Sequence, residues 1–141
     1  MKVIENLHHA LTKSMFSYDD FDLAILKYAR SQLDEADQQA LDSQMDLINK
    51  AQTTFDEESN KQLVMFYWMY LGKSRRDFPL AIKHMASTQP LMKLKVTVNE
   101  QTKITASVIM VKGVIFCIEY TSTSDSFRPL SPDFEISELP L

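Results

Sequence analysis

A run of nine consecutive apolar residues, Leu63–Leu71, constrains the fold of this chain more than any other stretch. A transmembrane helix needs about 20 apolar residues, so this run is too short to cross a bilayer. Nine residues in a helix extend about 13 Å, which is enough to cross the core of a small domain. The run therefore predicts a buried element at the centre of the fold.

The residues that flank this run favour a helix over a strand. Acidic residues 56–58 precede it and suit the positive end of a helix dipole, whereas the basic residues of 73–76 suit the negative end. Gly72 follows the run as a C-terminal cap would. A helix that is apolar on all sides is surrounded by other elements. We therefore expect Phe66 and Trp68 to be buried.

The spacing of apolar residues changes from helical to alternating near residue 90. Over residues 1–88 it predicts four to five helices, and over residues 91–139 it predicts an antiparallel sheet of about four strands. Helices followed by a β-meander are typical of α+β proteins in which the helices pack on one face of the sheet. We predict a single α+β domain that spans residues 1–141.

Caps and breakers place the individual elements. The first helix has an apolar stripe of Ile4, Leu7, Leu11 and Met15. A second helix is predicted from Ser17 to Leu33, a third begins after Asp34, residues 63–71 form the fourth, and residues 77–88 form a fifth. The strands are centred on residues 92–98, 104–110, 114–120 and 134–137, with a tight turn at Lys112-Gly113. The third strand is apolar on both faces, so we expect it at the centre of the sheet.

Composition favours a cytoplasmic globular protein. Charged residues make up 24% and apolar residues 45% of the chain, which is the usual range for a folded soluble domain. Cys117 is the only cysteine, so no disulfide forms within the chain. The first residues include Glu5 and two histidines, and they lack the unbroken apolar core of a signal peptide.

The sequence contains no strong catalytic or cofactor motif. The E-x-x-H pair of Glu5 and His8 has no second copy, and the acids of residues 19–22 suit a helix start without any ion. With two glycines in all, the chain lacks phosphate-binding loops and the nucleophile elbow. Cys117 lies inside an apolar run, as a buried small residue does. We predict a non-enzymatic protein with no catalytic residue, no metal and no cofactor.

Charge is segregated along the chain. Residues 1–60 carry 5 basic and 12 acidic side chains, residues 61–112 carry 9 and 2, and residues 113–141 carry 1 and 5. The basic middle segment includes KSRR at 73–76, close to Tyr67, Trp68 and Tyr70. Basic and aromatic side chains together can bind nucleic acid through phosphates and stacked bases. A nucleic-acid-associated or regulatory domain that uses residues 61–112 is therefore the alternative function, and an enzyme with a cleft assembled in space is another.

The stretch GVIFCIEYTSTSDSFRPLS, residues 113–131, resembles a strand and loop of small bacterial toxin-immunity proteins, including the SMI1/KNR4-like group. In that group a strand of glycine, four apolar residues, isoleucine and glutamate is common. The resemblance implies a cytoplasmic inhibitor that binds a cognate toxin and covers its active site. Many such toxins are basic nucleases, and opposite charge speeds association with an acidic inhibitor.

Acidic side chains are the predicted partner-binding residues. Glu35, Asp42 and Asp46 lie seven and four positions apart on the predicted third helix, which places them near one another. Asp125 and Asp133 lie in the acidic C-terminal segment and form a second candidate surface. We expect these carboxylates to face water and to meet a basic partner protein. The sequence does not predict an oligomeric state.

Overall fold

The computed structural model describes residues 15–141, together with Ile4 and Leu7, and only the backbone of Thr102 and Lys103. The predicted first helix and the Glu5–His8 pair lie largely outside the described residues. Within residues 15–141 there are two helices and seven strands. The helices are α1 (Asp20–Ser31) and α2 (Glu35–Leu47). The strands are β1 (Lys50–Asp56), β2 (Lys61–Tyr70), β3 (Lys73–Arg75), β4 (Thr88–Val98), β5 (Gln101–Val111), β6 (Val114–Ser122) and β7 (Glu135–Leu139).

All seven strands pair antiparallel in one sheet of order β1-β2-β6-β5-β4-β7, and β3 pairs with the far end of β2. The helices pack on one face of this sheet. The prediction of four to five helices on about four strands is therefore wrong, because the sheet extends into the part of the chain predicted to be helical. The four predicted strands are confirmed as β4 to β7, and β6 lies between β2 and β5 as expected.

The apolar run is strand β2 and not a helix. Val64 and Phe66 are buried against the helices, whereas Leu63 and Met65 point to the opposite face and are half-buried. Since β2 lies between β1 and β6 and has apolar residues on both faces, its sequence lacks the alternation that marks a strand. Phe66 is buried as predicted, whereas Trp68 is half-buried and so is less buried than expected.

The flanking residues predicted to cap a helix form hairpin turns instead. Leu71 and Gly72 have φ angles of 48° and 79° and connect β2 to β3 in two residues. A helix C-cap and this type of hairpin turn both favour glycine at positive φ, so Gly72 is compatible with either structure. Acidic residues 56–58 belong to the β1–β2 connection, where the Asp56 carboxylate accepts hydrogen bonds from Glu58 N and Ser59 Oγ.

Residues 76–87, which include most of the predicted fifth helix, run irregularly beside the β5–β6 hairpin. The predicted turn of this hairpin is confirmed, with Lys112 and Gly113 at φ 51° and 78°. Ile82 N donates to Gly113 O at 2.9 Å, and Lys112 N donates to Ser87 O at 3.2 Å. These long-range bonds use backbone groups that a helix would use internally, which explains why the local helix signals are overridden.

Aspartates cap both helices. The Asp19 side chain accepts from Phe21 N and Asp22 N at the start of α1, so Asp19 takes the capping role that the sequence assigned to Ser17. Asp34 caps α2 as predicted and accepts from Asp37 N at 2.9 Å. The core forms where the helices meet the sheet. It includes Ile25, Leu26, Ala29, Ala40, Phe66, Leu94, Ala106, Ile118 and Tyr120.

One buried amide ties three parts of the fold together. Gln44 on α2 is 0% exposed. Its Nε2 donates to Leu80 O at 3.0 Å and to Gly113 O at 2.9 Å, and its Oε1 accepts from Ile115 N at 2.8 Å. A Cβ atom at position 113 would lie 2.3 Å from Ile82 O, so glycine is required at this point. Gln44 therefore fixes helix α2 to the hairpin and to the irregular segment.

Replacing Gln44 with methionine should destabilise the fold by roughly 3 kcal/mol. Methionine fills a similar volume but leaves the buried Ile115 N–H and the Leu80 carbonyl without this partner and removes one of the two donors to Gly113 O. Each buried group left unpaired costs about 1–3 kcal/mol. Urea unfolding monitored by circular dichroism gives the free energy of unfolding. Gln39→Met, at an exposed position of the same helix, is the matched control and should change it little. Equal effects of the two substitutions would contradict the role of Gln44.

Candidate protein-interaction site

The face of the sheet opposite the helices carries a central group of half-buried and exposed apolar residues. We call this group the open sheet face. It consists of Leu63, Met65, Tyr67, Ile109, Val111 and Phe116. Met65 pairs with Cys117, and Cys117 pairs with Ile109, so the group runs continuously across three neighbouring strands. Neither helix within residues 15–141 packs on it, because both bury their apolar residues against the other face.

A bulge in β6 enlarges this apolar group. The pairing of β5 and β6 shifts between Ile109 and Met110, so that Ile109 opposes Cys117 while Met110 opposes Ile115. Phe116 is the extra residue and is 37% exposed. A bulge redirects a side chain without ending the strand, and here it adds an aromatic ring to the open sheet face.

Lysines surround the open sheet face. Lys50 lies on the β1 side with its Nζ 5.7 Å from the centre of the Tyr67 ring, and Lys93 and Lys95 lie on the β4 side. Among the described residues that point to this side on β2, β4, β5 and β6, Glu119 is the one carboxylate, and it pairs with Lys61 at 2.8 Å. The surface is therefore apolar at its centre, and its margin is mainly basic, with Asp56 on β1 and Glu135 on β7 as carboxylates of the two edge strands on the same side.

Cys117 lies within this surface but is only 5% exposed. Burial, together with the charge of Glu119, raises the pKa of its thiol to about 11. At neutral pH the group is a protonated thiol, which is a poor nucleophile. The predicted role of Cys117 as a buried small residue is confirmed.

The three predicted partner-binding residues of α2 are exposed. Glu35 lies in the first turn of the helix, and Asp46 lies near its end. Asp42 is bound by Arg30 of α1 through two hydrogen bonds, of 2.7 Å and 2.9 Å, so its charge is largely balanced within the chain. The carboxylates thus form an exposed face on the helix side of the molecule, opposite to the open sheet face.

The two other predicted partner-binding residues lie elsewhere. Asp125 is exposed in the connection that follows β6. Asp133 is exposed before β7 and lines a cavity of about 410 Å³ together with Glu100 and Glu135. The described lining of this cavity includes no residue of α2, so Asp133 belongs to a different surface from Glu35, Asp42 and Asp46.

The KSRR segment binds its own chain. Arg75 lies over the Trp68 ring at 4.4 Å and donates to both carboxylate oxygens of Asp77, at 3.0 Å and 2.7 Å. Arg76 donates to the backbone carbonyls of Ile115 and Val114, and burial lowers its pKa. Arg75 therefore packs within the β2–β3 hairpin, and Arg76 ties the residue after β3 to the start of β6. Neither is disposed as a free phosphate-binding group.

A second polar cluster joins α1 to the sheet. Asp22 is 3% exposed, and its Oδ1 accepts from Tyr120 Oη at 2.6 Å and from Arg128 Nη2 at 3.1 Å. Arg128 also pairs with Asp19 at 3.2 Å and donates to Gln62 Oε1 at 2.9 Å. Burial raises the pKa of Asp22, while the Tyr120 hydrogen bond and the Arg128 charge oppose this shift. No local pattern marks this cluster, because Tyr120 and Arg128 lie 98 and 106 positions from Asp22 along the chain.

Three cavities border Arg128 in the described part of the chain. One, of about 580 Å³, is lined by Asp19, Asp22, Lys50, Val64 and others, and a second, of about 480 Å³, by Phe21 and residues 129–132. Both open widely to solvent. The third, of about 150 Å³, is lined by Val98, Ile104 and others. Within the part of the chain that the structure describes, no group of three or more histidine, cysteine or acidic side chains could hold a metal ion. No helix among the described residues is long and apolar enough to cross a bilayer.

The chain was compared with protein-family models, with curated proteins and with solved structures, and nothing matches. Its function is therefore inferred from the geometry of these surfaces. The surface with the most distinctive physical character is the open sheet face. This face could not be found from the sequence, because an alternating apolar face can be identified only once β2 is known to be a strand.

Replacing Arg128 with methionine should cost roughly 1–3 kcal/mol of stability at pH 7, because it leaves a buried carboxylate without its cation. It should also raise the pKa of Asp22 further. An acid with a raised pKa in the folded state stabilises the fold while it is protonated, and this stability is lost as the pH rises through that pKa. The destabilisation should therefore be larger at pH 7 than near pH 4, where an ordinary aspartate is half protonated.

Urea midpoints of the Arg128→Met variant at the two pH values test this expectation. Arg30→Met removes an arginine from the exposed pair with Asp42 and should have a much smaller effect that varies less with pH. A cost for Arg128→Met that is the same at both pH values would contradict the assignment of Asp22 as its main partner.

Proposed function

We propose that the chain is a non-enzymatic protein-binding domain and that it binds its partner through the open sheet face. The observation that carries the proposal is the continuous group of apolar side chains on β2, β5 and β6, which no described helix covers. Contiguous exposed apolar surface is uncommon on a monomeric protein and marks interaction sites. Aromatic residues and methionine, both present here, are enriched in such interfaces.

The charges at the margin indicate the chemistry of the partner. Lys50, Lys93 and Lys95 border the apolar centre, and the Glu119 carboxylate is already paired with Lys61. Asp56 and Glu135 add negative charge only on the two edge strands. A complementary surface has apolar side chains at its centre and aspartates or glutamates at its rim. We infer that the partner is a protein with such an acidic, partly apolar surface.

Inhibition of a toxin is the specific form of this function that the resemblance of residues 113–131 suggests, and this role implies a cytoplasmic location. The exposed carboxylates Glu35 and Asp46 favour a second surface for that role, which would meet a basic toxin. The two surfaces lie on opposite sides of the molecule and require partners of opposite charge. Variants of one surface can therefore serve as controls for the other.

Matched baits test which surface binds. Wild-type protein is immobilised beside Ile109→Glu and Phe116→Glu, which place a charge in the open sheet face, and beside the triple variant Glu35→Lys, Asp42→Lys and Asp46→Lys. Circular dichroism and urea midpoints confirm that each bait is folded. A cytoplasmic extract of the native host is passed over all four, and the captured protein is purified and titrated by calorimetry.

We expect the captured partner to bind the wild type and the triple variant with similar affinity. Ile109→Glu should weaken binding at least about 30-fold, as substitutions at the centre of an interface do. Lys93→Glu with Lys95→Glu should slow association at low salt. Loss of binding in the triple variant alone would instead assign the interaction to the acidic face.

Nucleic acid is the remaining alternative, and labelled RNA and DNA oligonucleotides test it by fluorescence anisotropy. The arginines of KSRR are bound within the chain, so lysines such as Lys73, Lys93 and Lys95 would have to supply the phosphate contacts. Submicromolar binding that weakens in the Lys93→Glu and Lys95→Glu variant would overturn the protein-binding proposal. Micromolar or weaker binding that is insensitive to these lysines would support it.

A further inference from the structure

Strand β1 forms a long, exposed edge of the sheet. All seven residues of Lys50–Asp56 are exposed except Thr54, which is half-buried. On one side β1 pairs with β2, and on its other side no strand of the described residues is paired with it. An unpaired edge is a template for a further strand, and proteins usually protect it with proline, bulges or several charges. Between its first and last residues β1 contains neither proline nor charge.

The backbone groups available along this edge can be identified. The Asn49 side chain bonds to both N and O of Met69, so these groups of β2 point toward β1. The direction of the backbone N–H and C=O groups alternates along a strand. Those of Tyr67, Met65 and Leu63 therefore also point toward their β1 partners Lys50, Gln52 and Thr54. The intervening residues of β1 consequently direct their N–H and C=O groups away from the sheet. These residues are Ala51, Thr53 and Phe55.

We propose that a second copy of this chain pairs with β1, antiparallel and centred on Thr53, to form a symmetric dimer. In this register Lys50 lies opposite the second copy's Asp56, and the same pair recurs at the other end of the strand. Gln52 lies opposite the second copy's Thr54, and Thr53 lies opposite itself. Opposite charges, and threonine pairs, directly across two antiparallel strands are favourable. The strand is thus complementary in charge to its own reversed copy.

The shape of the strand is self-complementary as well. Phe55 is 51% exposed, and its ring contacts Phe127 at 5.6 Å, which leaves its other side open. In the proposed register the smallest side chain of the strand, Ala51, lies opposite the second copy's Phe55. The Phe55 ring would then cover Ala51, and a larger side chain at position 51 would compete with the ring for the same space. β7, the opposite edge of the sheet, carries two glutamates in five residues and has no such self-complementarity.

Pairing through β1 would also determine how the open sheet faces of the two copies are oriented. Residues that lie directly opposite one another across two strands point to the same face of a sheet. The two copies would therefore present their open sheet faces on the same side of one continuous sheet. A partner with two equivalent acidic surfaces could then bind both, with the gain in avidity that linked sites provide.

Sedimentation velocity of the purified protein over a range of concentrations tests the dimer without any other partner. Wild type should dimerise reversibly. Thr53→Pro removes an outward N–H at the centre of the proposed pairing, and edge strands tolerate proline at such positions. It should abolish the dimer while the urea midpoint of the monomer is preserved. Lys50→Glu should weaken dimerisation by roughly tenfold or more, because two symmetric pairs become repulsive.

Two further variants distinguish this register from a general charge effect. Lys93→Glu makes the same substitution away from β1 and should leave the dimer unchanged. Lys50→Glu combined with Asp56→Lys restores opposite charges across the two strands and should recover the dimer. A wild-type protein that remains monomeric at high micromolar concentration would overturn the proposal. So would a dimer that Thr53→Pro and Lys50→Glu leave unchanged, since it would use another surface.

Discussion

The buried hydrogen bonds of Gln44 fix the arrangement on which the rest of the structure depends. One side chain satisfies two carbonyls and one N–H, in the irregular segment and in the β5–β6 hairpin. Buried polar groups are costly unless they are paired, so a displacement of α2 that broke these hydrogen bonds would be unfavourable. Gly113 permits this contact, because a side chain there would collide with Ile82. The two helices of residues 20–47 are therefore held to one face of the sheet, and no helix of residues 15–141 covers the opposite face.

The two faces of β2 follow from this arrangement. Val64 and Phe66 contribute to the core under the helices, while Leu63, Met65 and Tyr67 contribute to the open sheet face. A strand with apolar residues on both faces needs a covering layer on each side. The chain supplies one of these layers within its described residues. In the proposed function a partner protein contributes the second layer.

Much of the second half of the fold could be predicted from the sequence, because its strands are governed by local signals. Met92, Leu94 and Val96 alternate with polar residues, and Lys112-Gly113 has the chemistry of a two-residue turn. The first half could not. Residues 63–71 have no period, and Gly72 is favoured both by helix caps and by hairpin turns. Whether residues 63–71 form a helix or a strand is decided by the long-range pairing of β2 with β6, and no local sequence pattern reveals this pairing.

The candidate site was predicted only in part, for the same reason. Exposure of Glu35, Asp42 and Asp46 follows from helical spacing, and burial of Cys117 follows from its apolar neighbours. The pairing of Asp42 with Arg30 and of Asp22 with Tyr120 and Arg128 depends on contacts between distant residues. The open sheet face depends on the register of β2, β6 and β5, and on the bulge at Phe116. None of these is visible until the strands are assembled.

The central claim is that β2 buries one face and leaves the other uncovered, and the methionine methyl groups test it most directly. Met65 and Met69 lie on the uncovered side and are half-buried, whereas Met92 and Met110 are 4% and 0% exposed under the helices. A soluble paramagnetic agent added to methyl-labelled protein should therefore relax the NMR signals of Met65 and Met69 strongly and those of Met92 and Met110 weakly. Protection of Met65 and Met69 equal to that of Met110 would contradict the account.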